Sequence, residues 1–326
     1  MVHSSYDTRQ SSRLTVTVHR VINGLRVERA RAISLAVLVT FLWSTSWVLI
    51  KLGLRQSLPP LTFAGLRYTL AFVCLAPLVM FNSRQRSQLA NLHRKDWITL
   101  ASLGLIYYTI TQGAQFLSLA YLPAALVSLL LNLTPAVVGV GGFFYLGERP
   151  ARQQWLGLLM AVGGVFVYFQ PGRLASSQWF GLVVAIACVG ANAVSSVLGR
   201  KVNRARELSP LVVTFVSMGI GALALLLVGG MLQGFGSLTT HHWLLIGWLA
   251  VVNTAIAFTF WNYSLRVLSA VESSILNSLM LPQIAVLAYF FLEETLTGGE
   301  ILGLALVSLG VLLVQLRTPP KPGSGT

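Results

Sequence analysis

The sequence is short of charge. Asp, Glu, Lys and Arg make up 10% of its 326 residues, against roughly 25% in soluble domains. With hydrophobic residues at 55%, this excludes an ordinary soluble fold and leaves an all-α integral membrane protein. Acids are scarcer still, 9 against 23 Lys and Arg, for a net charge of +14. Such a surplus would suit nucleic acid if it formed one surface. Here the basic residues are scattered in short clusters between apolar runs, so the expected partners are membrane lipids and not nucleic acid. The two cysteines, Cys74 and Cys188, both sit inside apolar runs, which excludes a disulfide framework and a thiolate metal centre. No GxxxxGK[ST] segment occurs, so ATP is not an expected partner. The pair His241-His242 has no third ligand close in sequence, and neither a metal nor another cofactor is expected.

What the chain does have is long apolar runs. A span needs about 20 largely apolar residues, and that ruler gives ten: 33–54, 59–81, 97–120, 123–146, 153–170, 178–199, 209–232, 243–266, 270–292 and 299–316. Residues 1–32 carry no apolar core followed by a small-residue cleavage site. They read as a retained, disordered basic tail whose arginines meet anionic lipid, and residues 317–326 form a second, Pro/Gly-rich tail. Nineteen of the 23 basic residues fall on the side of the two tails and three (Lys51, Arg55, Arg173) on the other, with Arg67 inside a span. Both termini are therefore expected in the cytoplasm, in a multi-pass protein of the cytoplasmic membrane.

The chain repeats itself. A shift of 150 carries Lys51 onto Lys201, Pro60-Leu61 onto Pro210-Leu211 and Ser46 onto Ser196. A shift of 146 carries Trp97 onto Trp243, Leu122 onto Leu268, Glu148 onto Glu294, Gly157 onto Gly303 and Gly164 onto Gly310. The units are residues 33–170 and 178–316 with five spans each. Five is odd, so the second unit enters the membrane inverted relative to the first. That is the architecture of alternating-access transporters, whose substrate sits at the repeat interface near mid-membrane.

Leu42-Trp43, Trp47 to Leu54, Pro60-Leu61-Thr62-Phe63, Gly65-Leu66-Arg67 and Leu146-Gly147-Glu148-Arg149-Pro150, with Gly157 and Gly163-Gly164, resemble the EamA domain. The core from 33 to 316 looks like two such units, as in the ten-helix exporters of the drug/metabolite transporter superfamily. The resemblance implies a secondary transporter, not an enzyme, that exports metabolites such as amino acids, with the third, fourth, eighth and ninth helices around the cavity. The second unit departs from the pattern. It has Leu292-Glu293-Glu294 without the glycine, and Ser217 where the first unit has Arg67.

Within the spans, polar residues mark the expected cavity. Tyr108, Thr111, Gln112 and Gln115 share one helical face. Asn253, Thr254 and Trp261 lie in the eighth span, Asn132 and Asn277 in the fourth and ninth, and Trp43, Ser46 and Asn192 in the first and sixth. Amides in lipid without partners are expensive, so these either line a cavity for amino and carboxyl groups or join helices. Arg67 either grips a substrate carboxylate or bonds to a neighbouring helix. No span interior holds an unambiguous Asp or Glu; Glu272 lies near the start of the ninth. A buried carboxylate is what exchange of a cationic drug for a proton usually needs, so a neutral or zwitterionic small-molecule substrate is expected, and the aromatic lining points to aromatic or hydrophobic ones. A broad drug/metabolite exporter is the alternative, and a membrane-embedded enzyme on lipid-linked substrates a third reading. Homodimerisation, coupling ion and direction of transport stay open.

Overall fold

A computed structural model describes residues 5–138, 152–169, 176–204, 208–268 and 270–315. All regular structure among these residues is helical, with no strand. Helix α1, Ser5–Arg55, is continuous through the segment expected to be a disordered tail. No proline interrupts the chain before Pro59, so nothing in the backbone stops the helix of the first span from extending backwards.

Prolines and caps set the next starts. Helix α2, Pro60–Met80, begins on a proline whose missing N–H is no loss in a first turn. A short helix α3, Ser83–Ala90, precedes α4, Arg94–Gly104, where Asp96 accepts the His93 amide at 2.9 Å. The third span then changes pitch. Residues Leu105–Thr111 form a π segment, π1, before α5, Gln112–Tyr121, resumes. After the turn at Leu122-Pro123 comes α6, Ala124–Leu131. Beyond residue 151 the elements are α7, Arg152–Phe169; α8, Ser176–Arg204; α9, Pro210–Gln233; and α10, Thr240–Ala250. A second π segment, π2, covers Val251–Ile256 and leads into α11, Ala257–Val267. The last three helices are α12, Ala270–Ser278; α13, Met280–Leu292; and α14, Gly298–Gln315.

Six of the described helical stretches are long and apolar enough to cross a membrane: Val27–Arg55, Pro60–Met80, Ser176–Gly199, Pro210–Gln233, Thr240–Leu265 and Ile275–Leu292. Two shorter apolar stretches are Ala124–Val138 and Gly298–Val314.

Two of the expected spans are broken inside, each just ahead of a proline. The helix of the fourth span tightens at Asn132-Leu133, where Leu133 N–H bonds to Leu130 O at 3.0 Å. The ninth does the same at Leu279, bonded to Leu276 O at 3.1 Å. Pro135 stands two residues after Leu133, and Pro282 three after Leu279. A proline has no N–H to give and clashes with the carbonyl four residues back, which disrupts the ladder in the turn before it.

Helices α7 and α14 meet along a glycine seam. A Cβ built on Gly157 would stand 2.6 Å from Gly310 O, and one on Gly164 2.8 Å from Gly303 O. The reciprocal positions are as tight, 2.5 Å for Gly310 against Gly157 O and 2.7 Å for Gly303 against Gly164 O. Without side chains at these points the backbones touch, which is how helices associate where hydrophobicity gives no drive.

Candidate functional site

The site grows from α2 where it crosses π2. Arg67 follows Gly65 in the α2 sequence and is only 5% exposed. Its Nε and Nη2 both donate to Thr254 Oγ1, each at 3.3 Å. Thr254 is free to accept because its own hydroxyl donates to Leu249 O at 2.9 Å, five residues back. Five is the spacing of a π turn, so the irregular pitch of π2 is what presents this oxygen to Arg67. The guanidinium carbon lies 5.1 Å from the Tyr68 ring centroid and 5.9 Å from that of Phe116. Ion pairs among the described residues join Arg29 to Glu272 and His93 to Asp96; Arg67 has none. A permanent cation held by one hydroxyl and two aromatic faces is an expensive thing to keep in a membrane span. A guanidinium carries five N–H donors in a fork that suits a carboxylate.

The stripe expected on the third span is buried throughout: Tyr108, Thr111, Gln112 and Gln115 are 9% exposed or less. Tyr68 Oη donates to Gln112 Oε1 at 2.7 Å, and the Tyr68 ring meets Tyr108 edge-on at 5.5 Å. Tyr107 packs on Tyr108 at 4.9 Å. Thr111 Oγ1 donates to Ile106 O at 2.9 Å, again five residues back, and the Cys188 thiol donates to Thr111 O at 3.1 Å. Arg67, Tyr68, Tyr108, Gln112 and Thr254 therefore form one contiguous cluster from α2, the two π segments and the start of α5.

Beside it, α1 adds an aromatic wall. The half-buried Trp43 ring lies 5.2 Å from Trp261 and 5.5 Å from Phe258. Ser46 Oγ donates to Trp43 O at 2.6 Å and is spent within its own helix. Asn253 is buried and joins π2 to α1, its Nδ2 donating to Leu42 O and, at 3.1 Å, to Thr45 Oγ1. Its Oδ1 is buried without a partner.

Three expected residues stand apart from this cluster. Asn132, at the break of the fourth span, turns its Nδ2 back to Ser128 O at 2.9 Å. Asn192 donates to Thr134 Oγ1 at 3.0 Å, tying α8 to the same break. Asn277 is exposed on α12. Glu272 takes the first turn of α12 and pairs with Arg29. Glu148, with the surrounding turn, lies outside the described residues.

The structure also brings in residues that the sequence left unremarked. Tyr68 and Phe116 flank Arg67, and their one sequence signal was adjacency, Tyr68 to Arg67 and Phe116 to Gln115. Ser44 donates to Gln283 Oε1 at 2.9 Å. Gln283 edges a groove of about 280 Å³ lined with Phe41, Leu279, Pro282, Val286 and Leu287, directly beside the break of the ninth span. Among the described residues no three His, Cys, Asp or Glu side chains gather as metal ligands.

The model of the EamA-like transporter family matches residues 30–170 and 179–316. An uncharacterized transporter of Bacillus subtilis, YvbV, is 25% identical over 90% of this chain and 94% of its own. A probable amino-acid metabolite efflux pump of Salmonella typhimurium is 28% identical over 86% of this chain and 93% of its own. The protein of the same description in Escherichia coli is 27% identical over 89% and 98%. A solved crystal structure matches with a TM-score of 0.62, covering 88% of this chain and 97% of its own at 20% identity, a likeness of fold alone. The family model accounts for both halves of the chain and nearly all of its described helices, and the chain belongs to the EamA-like transporter family.

Proposed function

We propose that this transporter exports small neutral or zwitterionic metabolites, amino acids foremost, across the cytoplasmic membrane by alternating access. Arg67 holds the substrate carboxylate, and Gln112, Tyr108 and the Trp43–Trp261 wall accommodate the rest. The observation that carries this reading is the buried guanidinium of Arg67, bonded to one hydroxyl and joined to no carboxylate among the described residues. A substrate carboxylate pairs with the guanidinium at short range, and the ammonium group of a zwitterion is left for the amide and aromatic side of the cavity. The two relatives called probable amino-acid metabolite efflux pumps agree with this substrate class.

The mechanism is ten helices in two inverted repeats, both termini cytoplasmic. Two coincidences of register support it. The π segments begin at Leu105 and Val251, 146 residues apart. The span breaks end at Leu133 and Leu279, also 146 apart. Irregular backbone repeated in the sequence register of 146 is what two copies of one unit leave, and broken helices near the midplane are where such transporters bind substrate. The reciprocal glycine contacts of α7 and α14 fit a two-fold relation between the halves. Asn132, Asn192 and Asn277, outside the Arg67 cluster, belong to the breaks and line the path in another state of the cycle.

The test is flux in liposomes with a panel of radiolabelled neutral amino acids and cationic dyes. Amino-acid flux that falls at least about tenfold in Arg67→Gln and is partly retained in Arg67→Lys supports the reading. Flux of dyes with none of any amino acid would refute it.

A further inference from the structure

At the Lys51 end of the bundle, side chains from distant parts of the chain meet one tight turn. Lys51 Nζ donates to Leu119 O at 2.6 Å and to Leu122 O at 2.7 Å, at the carbonyl end of α5. Across Leu122-Pro123, Glu294 accepts the first two amides of α6: Ala124 N–H to Oε1 at 2.8 Å and Ala125 N–H to Oε2 at 3.2 Å. Arg55 Nη2 donates to Leu292 O at 2.7 Å, the last residue of α13. Each charge meets the helix end that suits it, cations at carbonyls and the carboxylate at amides. Glu293 aims the carboxylate. It stands at φ 59° as the left-handed cap of α13, and Glu294 N–H folds back to Ala288 O at 3.3 Å. Leu119, Leu122, Ala124 and Leu292 fill the space between, each 1% exposed or less.

Two parts of this cluster join the halves of the chain, Glu294 on the α5–α6 turn and Arg55 on Leu292, while the bonds of Lys51 stay within the first half. Lys51, Arg55 and the α5–α6 turn belong to the first half of the chain, Leu292 and Glu294 to the second. A contact across the two halves is one that must break if the halves rock against each other. Both charges and both helix ends recover hydration on separation, so the net strength of the cluster is modest and the contact is reversible.

We propose that this cluster is the gate of the Lys51 face, the extracytoplasmic face by the distribution of basic residues. In the state described here Glu294 and Lys51 hold the α5–α6 turn against α1 and α13 and close the path. The Arg67 site opens to that side only when Glu294 leaves the turn, which Lys51 keeps positioned against α1 to receive it.

The proposal rests on the alternating-access reading, and its test needs no substrate, so a wrong substrate class leaves it intact. Ser128 is 1% exposed, one turn into α6 behind the gate. In proteoliposomes, a Ser128→Cys chain is labelled with a membrane-impermeant maleimide, read against the same chain without the added thiol, which keeps only Cys74 and Cys188. Labelling is slow with the cluster intact and rises about tenfold, the factor that 1.4 kcal/mol represents, in Glu294→Gln and in Lys51→Gln. Should Glu294→Gln not fold, Glu294→Asp, one methylene too short to reach both amides, reads the same rise. The exchange Lys51→Glu with Glu294→Lys leaves labelling fast, because each charge then faces the wrong helix end. Unchanged labelling in the single variants, or parent rates restored by the exchange, would overturn the gate.

Discussion

Gly163 and Gly164 are neighbours in α7 and look equivalent in sequence, yet the structure makes opposite demands on them. A Cβ on Gly164 would stand 2.8 Å from Gly303 O, Leu306 Cβ and Val307 N alike. Two of those three are backbone atoms of α14, which cannot swing aside, so the two helices must part by several tenths of an ångström. A Cβ on Gly163 meets nothing within 4 Å. Gly164→Ala is therefore an overpacking change along a backbone-to-backbone seam, expected to cost about 1–3 kcal/mol. Gly163→Ala should be neutral or gain up to about 1 kcal/mol through helix propensity. Thermal unfolding in one detergent, followed by circular dichroism or tryptophan fluorescence, compares them directly. Gly164→Ala and Gly310→Ala act on the same seam, so their losses should be less than additive once the helices have parted. Equal effects of Gly163→Ala and Gly164→Ala would refute the backbone contact between α7 and α14, and with it the two-fold seam.

Other expectations follow from single side chains. Glu293 is a non-glycine in the left-handed region, so Glu293→Gly should stabilise by about 0.5–1 kcal/mol in the same melt. Tyr68→Phe removes a hydroxyl bonded to buried Gln112 and should cost about 1–3 kcal/mol, with reduced flux. Gln112→Ala and Trp261→Ala should lower flux without lowering the yield of folded protein, measured by size exclusion beside liposome uptake. Glu272→Gln should change the melt by under about 1 kcal/mol, because the Arg29–Glu272 pair is 63% and 30% exposed at its two side chains.

The helices were legible because long apolar runs between prolines and polar turns leave little else possible in a membrane. The repeat register was legible because Glu148, Gly157 and Gly164 recur at one spacing as Glu294, Gly303 and Gly310. The π segments were not, since LIYYTIT and VVNTAI have the composition of ordinary helix and pitch is decided by threonine hydroxyls finding carbonyls five residues back. Pro135 and Pro282 were visible, but which turn they would break depends on the carbonyl each opposes. Arg67 stood out as a cation in a span. Its partner Thr254, 187 residues on, was named only as one polar residue among several, because that contact exists through the crossing of α2 and π2. Glu294 read as a turn mark. Its reach across to Ala124 follows from the left-handed backbone at Glu293, where the pattern of the first unit has a glycine and this residue does not announce such a conformation.

The central claim, that Arg67 takes a substrate carboxylate, is tested most directly by one comparison in proteoliposomes: a neutral amino acid against its own carboxamide, same side chain, same gradient. The account predicts that flux of the acid exceeds that of the amide at least about tenfold in the parent protein, and that Arg67→Gln abolishes the difference. Equal flux of acid and amide in the parent protein would contradict it.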